Sequence, residues 1–241
     1  APVVEAFDRI PFGDLNEARA AITAETAAIL VEPVQGEGGL SVASDGYLKG
    51  LRAMADEFGL LLIYDEVQCG MGRTGDLFAY EKSGVAPDIM SLAKALGGGF
   101  PVGACLATSA AAEHMVPGTH GSTFGGNPLA MAAANAVLDV MTEEGFWARV
   151  QQAASRLSHG LESLVATYAS IFKGVRGRGL MLGLKCSVPN GDVVDMLIND
   201  NMLTVVAGDN VVRLLPPLTV SDDEIDLALS KLGSAAKALA D

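Results

Sequence analysis

Up to about residue 145 the chain alternates short apolar runs with stretches of helical period. The runs Ala27–Glu32, Leu60–Asp65, Ile89–Ala93 and Val102–Thr108 are bounded by Gly, Pro or polar residues, which predicts strands. Between the first two, Tyr47, Leu48, Leu51, Met54, Ala55 and Phe58 recur at helical spacing, and Gly59 supplies a C-terminal stop. Asn127-Pro128 predicts a helix start, with Asn as cap and Pro in the first turn, and the Ala-rich run continues to about Met141. Strands alternating with helices predict an α/β fold with a mostly parallel sheet.

After Glu143-Glu144-Gly145 the pattern changes. One long helix is expected through about Tyr168, followed by short strands around Leu180–Cys186, Leu203–Ala207 and Val211–Leu215. The last helix opens on Ser221-x-x-Glu224, a capping box, and places Ile225, Leu229, Leu232 and Ala236 on one face. The chain therefore divides into an α/β part, residues 1–145, and a smaller α+β part, residues 146–241.

Composition narrows the function. Half of the 241 residues are hydrophobic, enough for one large core or two modest ones. The formal net charge is −13, with 16 basic against 29 acidic residues and no Lys/Arg cluster, which argues against nucleic acid as a partner. The three cysteines, Cys69, Cys105 and Cys186, are widely spaced and form no CxxC or Cys/His ligand pattern. A reduced, cytoplasmic setting without structural zinc is expected. Apolar runs are too short to span a bilayer, and no signal peptide is visible. The chain opens on Ala1-Pro2 rather than Met, which reads as loop and as part of a longer polypeptide.

The first candidate chemistry lies in Asp65-Glu66-Val67-Gln68-Cys69-Gly70-Met71-Gly72-Arg73-Thr74-Gly75, at the end of an apolar strand. A strand-end acid pair can hold magnesium in a nucleotide hydrolase, or hold a proton on a cofactor ring. The magnesium reading needs a G-x-x-x-x-G-K-[ST] loop, and these residues contain none; the Gly97–Gly99 and Gly174–Gly179 runs also miss the dinucleotide fingerprint.

Lys94 ends the next strand, one crossover later, at the edge where open α/β sheets bind ligands. Small residues, Ala95 to Gly99, follow it. In a water-poor crevice such a lysine becomes an amine nucleophile, with Asp65 opposite it on a pyridinium nitrogen. A surface lysine is the plain alternative. Ser122-Thr123, flanked by glycines before a helix, suits an anion such as phosphate, or is simply a cap turn. Arg213 inside the apolar strand Val211–Leu215 wants a carboxylate, whether from a ligand or from a structural ion pair.

Taken together, VEPVQGEGG, LLIYDEVQCGMGRTG, DIMSLAKALGGGFPVGA, GTHGSTFGGNPLA and VVRLLPPL resemble a subgroup of fold-type I pyridoxal-phosphate aminotransferases. That subgroup acts on acetylornithine, ornithine and 4-aminobutyrate. The resemblance implies that residues 1–145 are the later part of the large cofactor domain and residues 146–241 the small domain. It implies that Lys94 holds pyridoxal 5′-phosphate and moves the proton, Asp65 keeps the ring nitrogen protonated, and Gln68 bonds the phenolic oxygen. Thr123, with Ser122, would reach the phosphate in the neighbouring subunit of a homodimer. Arg213 would clamp the α-carboxylate of glutamate or 2-oxoglutarate, with Glu37 pairing that arginine until such a substrate arrives.

The implied reaction moves the δ-amino group of N-acetylornithine to 2-oxoglutarate, giving N-acetylglutamate semialdehyde and glutamate, a step of arginine biosynthesis. Ornithine, succinylornithine and 4-aminobutyrate are the alternative donors. Glu32, Glu66 and Arg73 fall in matching blocks without an assigned role. The family's N-terminal phosphate loop and ring-stacking aromatic are not among these residues, so this piece alone is expected to bind cofactor weakly. A Walker-B-type ATPase would instead show nucleotide-dependent thermal stabilisation, and an inactive scaffold would show no ligand effect.

Overall fold

The computed structural model describes residues 5–240. Ala1-Pro2, read above as loop, lies outside them. The elements in chain order are α1 (Leu15–Ala21), β1 (Ala28–Val31), β2 (Val34–Gln35), β3 (Ser41–Val42), α2 (Asp45–Phe58), β4 (Leu61–Asp65), β5 (Ile89–Leu92), β6 (Ala104–Ala107) and α3 (Pro128–Met141). There follow α4 (Phe146–Thr167), β7 (Phe172–Arg178), β8 (Met181–Cys186), α5 (Asn190–Asn199), β9 (Val205–Ala207), β10 (Val211–Leu214) and α6 (Asp222–Ala240). Two 3-10 turns, Ala79–Lys82 and Lys94–Gly97, lie on either side of β5.

The first sheet has the order β1-β4-β5-β6. β1 pairs with β4, and β4 with β5, in parallel. β6 runs antiparallel to β5, so the sheet is mixed at this edge. The short loop from the 94–97 turn into β6 leaves no room for the crossover a parallel neighbour requires. The second sheet, β7-β8-β10-β9, is antiparallel throughout, and β2 and β3 form a small hairpin.

Local signals account for the boundaries. α2 starts at Ser44, whose Oγ accepts from Tyr47 N at 3.1 Å, and ends at Gly59 in the left-handed conformation (φ 68°). Its apolar stripe buries Tyr47, Leu48, Leu51, Met54 and Ala55. Asn127 Oδ1 caps α3 through Ala130 N at 2.9 Å. Ser221 and Glu224 exchange the reciprocal bonds of a capping box, and α6 buries Ile225, Leu232 and Ala236 while Leu229 stays partly exposed.

One buried cluster passes through both sheets, from Leu51, Leu62 and Tyr64 to Leu161, Leu184 and Leu232. No helix among the described residues is long and apolar enough to cross a membrane.

Candidate active site

Asp65 and Lys94 meet because β4 and β5 are parallel neighbours in register. Asp65 is the last residue of β4 and lies opposite Ser91; Lys94 follows just beyond the end of β5. Asp65 Oδ1 accepts from Val67 N at 2.9 Å and Ser91 Oγ at 3.4 Å. Both bonds end on the same oxygen, leaving Oδ2 uncommitted among the described residues.

Lys94 leaves the strand with φ 47°, a left-handed conformation that a side chain with a Cβ adopts only at a cost of order 1 kcal/mol. Its side chain is exposed rather than sunk in a water-poor crevice. The residues that follow, Ala95 to Gly98, complete a 3-10 turn and its cap, with Leu96 and Gly97 buried. The turn packs on α3: a Cβ on Gly98 would lie 2.8 Å from Val137.

Two carboxylates join this edge. Glu32, after β1, accepts from Gly36 N at 2.9 Å. Burial raises its pKa first; the Gly36 bond opposes this, Asp65 adds to it, and Lys94 counteracts it. Glu37 bonds Arg213 Nη1 at 2.6 Å. Arg213 holds its carboxyl below the ordinary range, with Gln68 and Lys94 assisting. Glu32, Asp65, Lys94, Glu37, Gln68 and Arg213 thus form one hydrogen-bonded and electrostatically coupled group beside the carboxyl ends of β1, β4 and β5. Glu32 was the member that sequence reasoning left without a role.

Arg213 lies in β10, paired with Gly183 of β8 and Val205 of β9, and is 9% exposed. Its Nη1 donates to both Glu37 Oε1 and Gln68 Oε1, the latter at 2.9 Å, whereas its buried Nε has no partner. Gln68 lies directly over Gly36, where a Cβ would come within 2.5 Å of its amide. The asymmetry of the ion pair matters. The Glu37 side chain is 76% exposed, so displacing it costs about 1 kcal/mol or less. Leaving Arg213 with no carboxylate at all would cost several times more. That balance favours exchange of one carboxylate for another.

Ser122 and Thr123 are exposed, and Ser122 Oγ accepts from Gly125 N at 2.9 Å in its own turn. No hydrogen bond among the described residues joins either to Asp65, Lys94, Gln68 or Arg213. Near them lies exposed apolar surface, including Phe124 (80%) and Leu129 (65%).

Glu66 and Arg73, adjacent to the site in sequence, are turned inward. Glu66 is fully buried and accepts from Ala79 N at 2.7 Å and Tyr80 N at 3.0 Å. Arg73 donates through Nη1 to the Leu180 and Pro216 carbonyls, and its own carbonyl accepts from Leu180 N at 2.9 Å. It ties the loop after β4 to the second sheet.

The aminotransferase class-III family model matches residues 8–236. Acetylornithine aminotransferase of Mesorhizobium japonicum is 58% identical over 240 residues, covering 100% of this chain and 60% of that protein. Among solved structures, N-acetylornithine aminotransferase of Stenotrophomonas maltophilia aligns with TM-score 0.86 at 40% identity, over 95% of this chain and 62% of that one. Ornithine aminotransferase of Toxoplasma gondii aligns with TM-score 0.92 at 34% identity, over 99% and 58%. The chain spans about 60% of the length of the curated relatives it matches. With strand-end Asp65 and Lys94 side by side and a family match over nearly its whole length, the chain belongs to the class-III aminotransferases.

Proposed function

We propose that this chain forms most of a pyridoxal-phosphate-dependent aminotransferase that moves the δ-amino group of N-acetylornithine to 2-oxoglutarate. Residues 1–145 belong to its large cofactor domain and residues 146–241 to its small domain. The observation that carries this is the placement of Asp65 and Lys94 at the carboxyl ends of neighbouring parallel strands. The residues present fit the group: Asp65 has an uncommitted oxygen, Gln68 stands over a glycine cradle, and Arg213 keeps an unpartnered Nε. When bound, pyridoxal 5′-phosphate supplies an electron sink for the carbon that loses its proton.

Each side chain then has a task. Lys94 Nζ would hold the cofactor and would take and return the proton at the substrate carbon that bears nitrogen. Asp65 would keep the ring nitrogen protonated, the condition for that proton to become removable. Gln68 spends its Oε1 on Arg213 and offers its amide N–H groups to the ring's phenolic oxygen. Thr123, with Ser122, would reach the phosphate held by the other subunit of a homodimer, in keeping with the absence of hydrogen bonds from either to Asp65, Lys94, Gln68 or Arg213 among the described residues. Arg213 takes the α-carboxylate of glutamate or 2-oxoglutarate when Glu37 yields its place; with N-acetylornithine entering by its δ-amine, Glu37 stays on Arg213.

Ornithine is the second donor considered, because the fold superposes on ornithine aminotransferase as well. The test is a donor panel on the full-length, cofactor-loaded protein with 2-oxoglutarate as acceptor, followed by glutamate formation. N-acetylornithine should exceed ornithine and 4-aminobutyrate in kcat/KM by about tenfold or more. A different best donor overturns the substrate, and no glutamate from any donor overturns the reaction.

A further inference from the structure

The loop that carries Glu37 makes a backbone contact away from its ion pair with Arg213. The turn between β9 and β10, Gly208 to Asn210, docks on the loop that carries Glu37: Gly208 N–H donates to the Glu37 carbonyl at 2.8 Å. The two loops meet backbone to backbone. A Cβ at Gly208 would stand 2.8 Å from the Glu37 carbonyl oxygen, and one at Gly39 would stand 2.5 Å from the Gly208 carbonyl oxygen.

The turn is pinned on its far side as well. Asp209 and Asn210 hold left-handed φ values of 51° and 53°. Asp209 pairs with Lys185 at 2.5 Å and Arg176 at 2.7 Å. Asn210 Nδ2 donates to the Cys186 and Val188 carbonyls, and its Oδ1 accepts from Asn190 N. Arg213 follows shortly after in β10. A single fixed hairpin therefore carries the arginine and also holds the backbone of the glutamate that covers it.

We propose that Gly208 is a specificity-determining positioning residue: its backbone clamps the Glu37 loop, so that the exposed Glu37 side chain alone moves on and off Arg213. It rests on the roles of Glu37 and Arg213 proposed above. With the backbone fixed, closing the pair orders only one side chain, and the closed state holds against donors that lack a carboxylate near the reacting amine. Gly208 itself is not in the left-handed region, so alanine there meets only the docked loop and leaves the turn conformation accessible. Pushing the loop away weakens the Glu37 contact and leaves Arg213 open to α-carboxylates.

The experiment measures half-reaction constants of the full-length, cofactor-loaded enzyme for glutamate and N-acetylornithine in wild type, Gly208→Ala and Glu37→Ala. Gly208→Ala should raise the glutamate to N-acetylornithine ratio of kcat/KM by about tenfold, mainly through KM, in the same direction as Glu37→Ala. If Glu37→Ala shifts the ratio and Gly208→Ala does not, the clamp is overturned and the Glu37–Arg213 roles stand. If Glu37→Ala leaves the ratio unchanged, those roles fall and the clamp with them. Should Gly208→Ala fail to fold, Asp209→Asn, which breaks the ion pairs to Lys185 and Arg176, replaces it; an unchanged ratio there also overturns the clamp.

Discussion

Asp65 and Glu66 are neighbours with opposite surroundings. Asp65 keeps one oxygen uncommitted among the described residues, whereas Glu66 is fully buried and spends its charge on the N–H groups of Ala79 and Tyr80. Burial pushes the Glu66 carboxyl up to about 7; the two N–H bonds pull against this, and the like charge of Glu81 adds to it. Between its ordinary value of 4.5 and about 7, folded Glu66 keeps a proton that the unfolded chain has released, so stability falls as pH rises through that window. The total loss is at most about 3 kcal/mol. Glu66→Gln should remove this decline. Denaturant unfolding from pH 4.5 to 8 checks it: the wild-type curve should drop relative to the variant, and parallel curves would assign the titration elsewhere.

Among the elements, the loop after β4 holds the two sheets together. Arg73 reaches carbonyls far along the chain, Gly179 leaves no space for a Cβ, which would lie 2.5 Å from Thr74 C, and Gly72 packs against Leu218. Arg73→Met keeps the length of the side chain but strands the Leu180 and Pro216 carbonyls. A loss of about 2 kcal/mol is expected, read as a lower denaturant midpoint at unchanged slope; an unchanged midpoint would deny the clamp.

This scale also shows what the sequence made legible. β1, β4 and β5, with α2, α3, α4 and α6, follow from periodicity and caps to within a residue or two. β7 escaped because Lys173, Gly174, Arg176 and Gly177 interrupt its pattern; Gly177 is needed where the chain passes Met181 with no room for a side chain. α5 begins Asn190-Gly191 and carries Asp192 and Asp195, which hide its buried stripe of Val193, Val194 and Leu197. The expected strand from Leu203 begins only at Val205, and Leu203 is 89% exposed. The position of Asp65 and Lys94 at the ends of neighbouring strands was legible because strand ends are local features. The Arg73 contacts were not, since nothing local signals partners more than 100 residues away.

At the scale of the molecule, the first sheet and its neighbouring loops expose apolar surface. All four residues of β6 are exposed, Leu30 of β1 is 56% exposed, and Met115, Val116, Phe124 and Leu129 add apolar area beside the Ser122-Thr123 turn. This chain spans about 60% of the length of its relatives, and the proposed activity is to be tested in the full-length protein. Lys94 as the cofactor's anchor is the claim on which every other assignment depends. Borohydride reduction of the full-length, cofactor-loaded protein, followed by peptide mapping, addresses it directly. The cofactor should be fixed to the peptide containing Lys94, and attachment at another lysine, or none despite bound cofactor, would contradict the account.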